Sequence, residues 1–179
     1  FNSDFSYENL LSNKIKTPFP IDIVYTWAGE YTENDIRIRN NNELKYSIRS
    51  VIKYAPWINR IFILMNPPKR IPSWFNEDYN KIISIVDQSE TFPKGSKLPN
   101  KNSNAIETTL QNIPGLSEHF IYFNDDLFLG KPTEYTDFFT KDGEAIISDT
   151  ILQKKNMLKK ENNILDIEYP ETAYEFYPH

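Results

Sequence analysis

The sequence lacks cysteine altogether and has only two histidines and five glycines among its 179 residues. Without cysteine it has no disulfide framework, no thiolate metal site and no cysteine nucleophile. With only His119 and His179, a zinc site made of three histidines is excluded within the chain. No phosphate-binding loop, dinucleotide fingerprint or zinc signature occurs. No apolar run approaches the roughly 18 residues of a transmembrane span.

Acidic residues outnumber basic ones, with 25 Asp and Glu against 20 Lys and Arg and a formal charge of −5. This balance argues against a general nucleic-acid partner or an anionic membrane surface. A composition that is 39% hydrophobic and 25% charged is typical of a folded globular domain. The chain starts at Phe1 without a signal-peptide pattern, and three of its last six residues are aromatic. We therefore expect the protein to continue beyond His179.

Four short runs rich in β-branched and aromatic residues predict buried strands. Apolar residues at helical spacing predict a helix over 43–54, and Ser103 is the predicted N-cap of a short helix that ends near Asn112. The alternation of strands and helices predicts an α/β fold, a Rossmann-like sandwich with a mostly parallel sheet and helices on both faces. The four predicted strands are 21–27, 60–65, 82–86 and 119–123.

The chain is predicted to divide into three parts. Residues 1–20 form a polar lead-in, 21–149 form the α/β core, and 150–179 form an extension with a weak helical pattern over 150–166. Within the core, residues 30–42 are a polar loop. Residues 138–147 are predicted to form a hairpin.

Parallel sheets bind ligands beyond the carboxyl ends of their strands. Trp27 ends the first predicted strand, and Asn66, Asp87 and Asn124 directly follow the other three. Asn66 and Asn124 are therefore predicted to bind substrate. Trp27 either stacks on a base or sugar ring or is a core tryptophan. Asp22 lies near the start of its strand, and it reaches the site only if that strand is shorter than predicted.

The adjacent carboxylates of Asp125 and Asp126 are the sharpest local feature. They repel each other, and they are flanked by apolar residues on both sides, so a cation is needed to keep both ionised. Their oxygen atoms suit Mg²⁺ or Mn²⁺, which can bridge the phosphates of a nucleotide diphosphate. The alternative is an exposed turn, because Asn and Asp are common turn residues.

Two further features have a functional and a structural explanation each. Lys45, Arg49 and Lys53 form one basic stripe on the predicted helix. This stripe either binds phosphate or is simply a face of the helix that is exposed to solvent. Ser103 and Glu107 open a helix whose amides receive a phosphate or sugar hydroxyl, or they are a cap and a first-turn acid. His119 is predicted to be a structural hydrogen-bonding residue rather than a catalyst.

Taken together, these segments resemble the Stealth family of sugar-phosphate transferases. That family includes bacterial capsule polymerases and the catalytic subunit of the lysosomal-enzyme N-acetylglucosamine-1-phosphotransferase. The chain departs from the family pattern at residues 28–30 and at Lys45, and it lacks the family's downstream block with a His and an Arg. The blocks that carry the resemblance are 21–27, 42–50, 55–58, 61–63, 71–74, 103–107, 113–117 and 119–126.

The resemblance implies a glycosyltransferase-A-like fold and transfer of a hexose or N-acetylhexosamine 1-phosphate. The implied donor is a nucleotide diphosphate sugar, namely a UDP-sugar, and the implied acceptor is a glycan hydroxyl. The implied reaction breaks the P–O bond at the β-phosphorus and releases a nucleoside monophosphate. The resemblance further implies that Asp125 and Asp126 are catalytic and hold Mg²⁺ or Mn²⁺, and that Arg49 supplies a positive fork. The other implied donor-site or acceptor-site residues are Asp22, Trp27, Ser103 and Glu107.

Two other functions stay open. One is a metal-dependent glycosyltransferase of the same fold type, which releases a nucleoside diphosphate. The other is an inactive fragment that binds a nucleotide sugar. The absence of cysteine and of Asn-X-Ser/Thr sequons favours the bacterial cytoplasm or the periphery of the inner membrane over a Golgi lumen.

Overall fold

The computed structural model describes residues 14–29 and 41–146, and the fold is given for those residues. Their elements belong to one compact unit that ends at Ala145. The predicted helical pattern over 150–166 and most of the polar loop over 30–42 lie outside the described residues. The predicted boundaries 1–20, 21–149 and 150–179 stay predictions.

A parallel sheet of four strands forms the centre of the described fold, in the order β3-β2-β1-β4. In the register, Ile23 of β1 lies opposite Ile61 on one side and Ile121 on the other. All three strand pairs are parallel, which confirms the predicted α/β, Rossmann-like class. The strands are β1 (Ile21–Trp27), β2 (Ile61–Met65), β3 (Ile83–Asp87) and β4 (His119–Asn124).

Each face of the sheet is covered by a helix, as predicted. Helix α1 (Glu43–Tyr54) packs Leu44, Ile48 and Val51 against the face formed by the odd-numbered residues of β1 and β2. Helix α2 (Ser103–Glu107) and the 3₁₀ turn Leu110–Asn112 pack on the opposite face, against Val24 and Phe62. Burial on both faces explains why the strands read as nearly continuous apolar runs.

The predicted helix from Ser103 to Asn112 is corrected at both ends. Asn102 is the N-cap, because its side chain accepts from the amides of Asn104 (3.0 Å) and Ala105 (3.4 Å), so Ser103 is the first helical residue. The hydroxyls of Thr108 and Thr109 then donate to carbonyls three residues back, at 2.8 Å each. Such side-chain bonds compete with a regular helix, and α2 ends at Glu107.

The predicted hairpin is reduced to one antiparallel bridge between Phe139 and Ala145 in the described chain. Gly143 in its turn has φ +91°, and a Cβ there would lie 2.7 Å from His119 Nε2. That nitrogen donates to the Gly143 carbonyl at 3.0 Å, and the imidazole stacks on Phe19 with ring centroids 4.2 Å apart. His119 therefore packs the lead-in and the hairpin together, the structural role predicted for it.

Asp22 is fully buried near the amino end of β1. One of its carboxylate oxygens accepts from Asn59 Nδ2 at 2.9 Å and the other from the Ser117 amide at 2.7 Å. The segments that lead into β2 and β4 are thereby tied to β1. Within residues 14–29 and 41–146, no helix is long and apolar enough to cross a bilayer.

Replacing Asp22 with alanine should lower the free energy of unfolding by about 2–3 kcal/mol, because two donors inside the protein lose a charged acceptor. Urea denaturation measures the loss. Asp142→Ala, at an exposed aspartate, is the matched control and should change stability by under about 0.5 kcal/mol. Equal effects of the two substitutions would contradict a structural role for Asp22.

Candidate active site

The strand order places a crevice between the carboxyl ends of β1 and β4. Strands β2 and β3 follow each other on one side of β1, whereas β4 lies on the other side. In open parallel sheets, ligands bind at the point where the strand order reverses in this way. Thr26 and Trp27 end β1 at this point, and Asn124 ends β4.

Asp125 and Asp126 occupy the centre of a turn that follows β4 directly. The Leu127 amide donates to the Asn124 carbonyl at 3.2 Å and closes this turn. The backbone therefore forms the turn that was the alternative explanation. Of the two carboxylates, however, only Asp126 is exposed, and Asp125 is half-buried. Burial raises the pKa of Asp125, and the neighbouring charges of Asp126 and Glu43 raise it further.

Glu43, the first residue of α1, brings the start of that helix to the acidic turn. Its carboxylate accepts from the amide of Asn41 at 2.7 Å and from Asn41 Nδ2 at 2.8 Å, and the hydrogen bond from the Asn41 side chain is the main cause that lowers the pKa of Glu43. Glu43 thus stays ionised close enough to Asp125 to disfavour a second charge there. The acidic turn and the start of α1 therefore lie close together.

Residues 127–133, which we term the α1 strap, run from the acidic turn along α1 and hold it in place. Four hydrogen bonds join α1 and the residue Trp57 to backbone groups of the strap. Three of them involve polar side chains, and the fourth involves a backbone carbonyl of the helix. The bonds are Ser47 Oγ to the Leu127 carbonyl, the Leu129 amide to Ser50 Oγ (2.9 Å), the Thr133 amide to the Tyr54 carbonyl (2.8 Å) and Trp57 Nε1 to the Thr133 carbonyl (2.8 Å).

Ser47 links the strap to the core of the sheet. Its side chain is fully buried and lies 2.8 Å from the Tyr25 hydroxyl. Because Ser47 donates to the Leu127 carbonyl, Tyr25 is the donor in their shared bond. Sequence reasoning missed Ser47 and Ser50; the available signal was two hydroxyls three residues apart, beside the apolar stripe of α1.

A second network joins α2 to the edge of the sheet through Tyr122. The Tyr122 hydroxyl lies 3.0 Å from Thr26 Oγ1 and donates to Asn124 Oδ1 at 2.9 Å. Burial raises the pKa of Tyr122, and the nearby negative charge of Glu107 raises it further. Glu107 and Asn124, both predicted site residues, therefore meet at one side chain. Ser103, at the other end of α2, is exposed.

On the far side of β1, Asn66 follows β2 and contacts Gln88, which follows β3. Gln88 Nε2 donates to Asn66 Oδ1 at 2.8 Å, and Asn66 Nδ2 lies 3.4 Å from the Ala28 carbonyl. Asp87 is buried and caps the 3₁₀ turn Gln88–Glu90 by accepting from the Ser89 amide at 2.7 Å. Asn66 thus lies at the edge of the sheet, as its predicted site role requires.

Two predicted site residues, Asp22 and Trp27, are buried, and a third, Arg49, lies on α1. Asp22 precedes Thr26 by four residues, about 13 Å along β1, and its strand has the predicted bounds, so it does not reach this edge. Trp27 is only 6% exposed and packs in the core, the alternative left open for it. Arg49 lies over the Tyr46 ring, 5.5 Å from its centroid, on the side of α1 away from Val51. Substrate roles for these residues stay predictions.

The acidic turn has a donor set that fits Mg²⁺ or Mn²⁺. Among the described residues, no group of three or more His, Cys, Asp or Glu side chains is arranged to hold a metal. Mg²⁺ is commonly bound by one or two carboxylates together with substrate phosphates and water, rather than by a cage of protein ligands. The paired carboxylates of Asp125 and Asp126, with Glu43 adding negative charge, are consistent with that type of site.

Comparison with known proteins agrees with this arrangement. The profile described as "Stealth protein CR2, conserved region 2" matches residues 37–147, more than half of the chain. The chain belongs to the Stealth family. The matched region includes α1, the acidic turn and the strap, so the resemblance based on sequence blocks is confirmed.

Relatives of this Stealth chain include named phosphotransferases from bacteria. A capsular polysaccharide phosphotransferase of Haemophilus influenzae is 38% identical over 174 residues, which cover 86% of this chain and 47% of that protein. The corresponding enzyme LcbA of Neisseria meningitidis is 39% identical, with 77% and 43% covered. An exopolysaccharide phosphotransferase of Nocardia farcinica is 42% identical, with 70% and 28% covered. The chain spans less than half the length of each.

The charge repulsion at the turn predicts a gain in stability when Asp125 becomes asparagine. The raised pKa of Asp125 means that ionisation costs more in the folded than in the unfolded state. Stability therefore falls as the pH rises from the ordinary value of about 3.9 through the raised folded pKa. Without divalent cations, Asp125→Asn should raise the urea midpoint at pH 7 and leave it nearly unchanged at pH 3.

Asp142→Asn is the control for this effect, because it removes one exposed aspartate charge away from the turn. It should leave the urea midpoint at pH 7 close to that of the unsubstituted protein. A loss of stability in Asp125→Asn at pH 7 would contradict the electrostatic account of the turn.

Proposed function

We propose that this protein transfers a hexose or N-acetylhexosamine 1-phosphate from a UDP-sugar to a glycan hydroxyl in capsule or exopolysaccharide synthesis. The observation that carries the proposal is the acidic turn at the reversal point of a parallel sheet, next to the start of α1. The names of the relatives support phosphotransfer as the reaction class.

The start of α1 favours a diphosphate in this crevice. The first amides of a helix lack carbonyl partners within it, and the aligned peptide dipoles make that end partly positive. Asn42 at the N-cap makes no side-chain hydrogen bond to these amides. A phosphate group there would be attracted by the helix, while the adjacent carboxylates would repel it. A cation between the phosphates and the turn resolves this conflict.

Asp125 and Asp126 are the residues that would hold the divalent cation. When bound, such an ion neutralises negative charge on a diphosphate that is undergoing substitution. Ser47 and Ser50 position the turn, because they anchor the strap that continues from it. Glu107, whose charge lies near the Tyr122 hydroxyl, is the proposed contact for hydroxyl groups of the donor sugar.

In the proposed reaction, the oxygen of the acceptor hydroxyl attacks the β-phosphorus and gives its proton to a base, for which Asp126 is the candidate. The bond from the β-phosphorus to the bridging oxygen breaks, and the nucleoside monophosphate leaves with the electron pair. The bond between the sugar carbon and its phosphate oxygen remains intact. The product is a phosphodiester. The proposed role of Arg49 is to stabilise the negative charge on the transferred phosphoryl group, because an arginine can form two parallel hydrogen bonds with it.

Asp126→Asn should abolish transfer while the protein stays folded, since the substitution removes one of two carboxylates at the cation site. We expect kcat to fall by at least about 100-fold, measured with a UDP-sugar and a glycan acceptor in the full-length protein. Asp142→Asn should retain full activity. Unimpaired turnover by Asp126→Asn would remove that residue from the mechanism.

Binding of the donor nucleotide should depend on a divalent cation. Calorimetric titration of the protein with UDP should give a measurable affinity with Mg²⁺ or Mn²⁺ and a much weaker one after EDTA treatment, because the carboxylates and the phosphates repel each other without a counter-ion. The same affinity in both conditions would contradict a cation site at the turn.

The released nucleotide distinguishes phosphotransfer from glycosyl transfer. Release of UMP shows cleavage at the β-phosphorus, whereas release of UDP shows cleavage at the sugar carbon. We further propose that the protein acts on the cytoplasmic side of a bacterial cell. The reported relatives are bacterial, which favours that location over a Golgi lumen.

A further inference from the structure

Gln88 is an amide side chain buried at the carboxyl end of β3, with 2% of its surface exposed. Its Oε1 accepts from the backbone amide of Asn100 at 2.8 Å, and its Nε2 donates to the backbone carbonyl of the same residue at 3.0 Å. A backbone amide can only donate and a carbonyl can only accept. The orientation of the Gln88 amide is therefore fixed by two independent bonds.

The fixed orientation of Gln88 in turn determines that of Asn66. Gln88 Nε2 also donates to Asn66 Oδ1 at 2.8 Å, so the oxygen of Asn66 faces inward and its Nδ2 group is left as the outer atom. One hydrogen on Nδ2 points to the Ala28 carbonyl over a long distance of 3.4 Å. Within residues 14–29 and 41–146, the other hydrogen has no acceptor. Asn66 therefore offers a donor at the edge of the sheet.

The position of Asn66 suits a ligand that extends from the acidic turn. Asn66 follows β2 and Asn124 ends β4, and these strands flank β1. Adjacent strands lie about 4.8 Å apart, so the two positions are separated by about 10 Å across the edge. A nucleoside diphosphate can span that distance. Its base carbonyls and phosphate oxygens accept hydrogen bonds and cannot donate them.

We propose that Gln88 is a positioning residue, which fixes the Asn66 amide so that Asn66 donates to an accepting oxygen of the donor nucleotide. The inference rests on the proposed function, since it requires that a nucleotide binds at this edge. This arrangement would contribute to ligand specificity, because the Asn66 donor favours a carbonyl or phosphate oxygen and disfavours a ligand group that can only donate.

Gln88→Glu replaces the Nε2 donor that faces Asn66 with an acceptor oxygen and changes the shape of the side chain little. A carboxylate at position 88 still accepts from the Asn100 amide but can no longer donate to the Asn100 carbonyl or to Asn66. The Asn66 side chain is then expected to turn its Nδ2 inward and its oxygen outward. We expect the affinity for UDP with Mg²⁺ to fall about tenfold. The KM for the UDP-sugar should rise more than kcat falls.

Gln111→Glu is the matched control, because it makes the same chemical change on an exposed side chain that donates to the Thr108 carbonyl at 2.7 Å. It should leave UDP affinity and KM unchanged. Urea denaturation of each variant shows whether it is folded at the temperature of the binding assay. Asn66→Ala, a substitution at a half-buried edge position, tests the donor directly if Gln88→Glu fails to fold.

A double-substitution cycle tests whether Gln88 acts through Asn66. In the Asn66→Ala background, Gln88→Glu should cause no further loss of UDP affinity. Equal losses in both backgrounds, or full UDP affinity in Asn66→Ala, would overturn the proposal while leaving the proposed function intact. If the unsubstituted protein fails to bind UDP with Mg²⁺, the proposed function itself is wrong and the inference falls with it.

Titrations with uridine and with pyrophosphate identify the oxygen that Asn66 contacts. A loss confined to uridine in Asn66→Ala assigns a base carbonyl, and a loss confined to pyrophosphate assigns a phosphate. Either result supports a donor at Asn66. Unchanged affinity for both ligands would contradict it.

Discussion

The candidate site depends on the position of β4, which pairs with β1 on the side opposite to β2. Because all the strand pairs are parallel, the polar residues at or just beyond the carboxyl ends of β1, β2 and β4 lie along one edge. The reversal of strand order opens the crevice, and the short turn after β4 places two carboxylates in it. A β4 strand beside β3 would have placed the same turn away from the start of α1.

The turn is held by polar contacts rather than by apolar packing of its own residues. Ser47 connects the Leu127 carbonyl to Tyr25 in the core, and Ser50 binds the next part of the strap. This anchoring keeps negative charges together that would otherwise separate in water. The raised pKa of Asp125 is the measurable consequence. A site that binds a cation and a diphosphate benefits from such stored repulsion, at a cost in the stability of the ligand-free protein.

The strands and α1 could be predicted because their residues follow simple periodicities. The runs in β1 and β2 are buried on both faces, and α1 has the predicted bounds, since its apolar residues repeat at helical spacing and Pro56 follows it. The start of the short helix α2 was harder to predict, because Asn102 and Ser103 are both good N-cap residues. Only the three-dimensional contacts decide which of them accepts from the first amides.

Long-range polar contacts account for most of what the sequence could not reveal about the site. The acidic pair could be predicted from its own chemistry and its position after a strand. The role of Gln88 depends on a loop residue, Asn100, and on Asn66, which is 22 positions away in the chain. Asp22 illustrates the same limit, because the sequence alone does not reveal that its buried carboxylate accepts from Asn59 and from the Ser117 amide.

Paramagnetic broadening of backbone NMR signals by Mn²⁺ in the presence of UDP tests the central claim most directly. The account predicts that the amide signals of Asp125, Asp126 and Glu43 broaden first, while those of Ile21 and Asp22 at the opposite end of the sheet stay sharp. Broadening that spares the acidic turn, or that is no stronger there than at Asp22, would contradict the assignment of this edge as the active site.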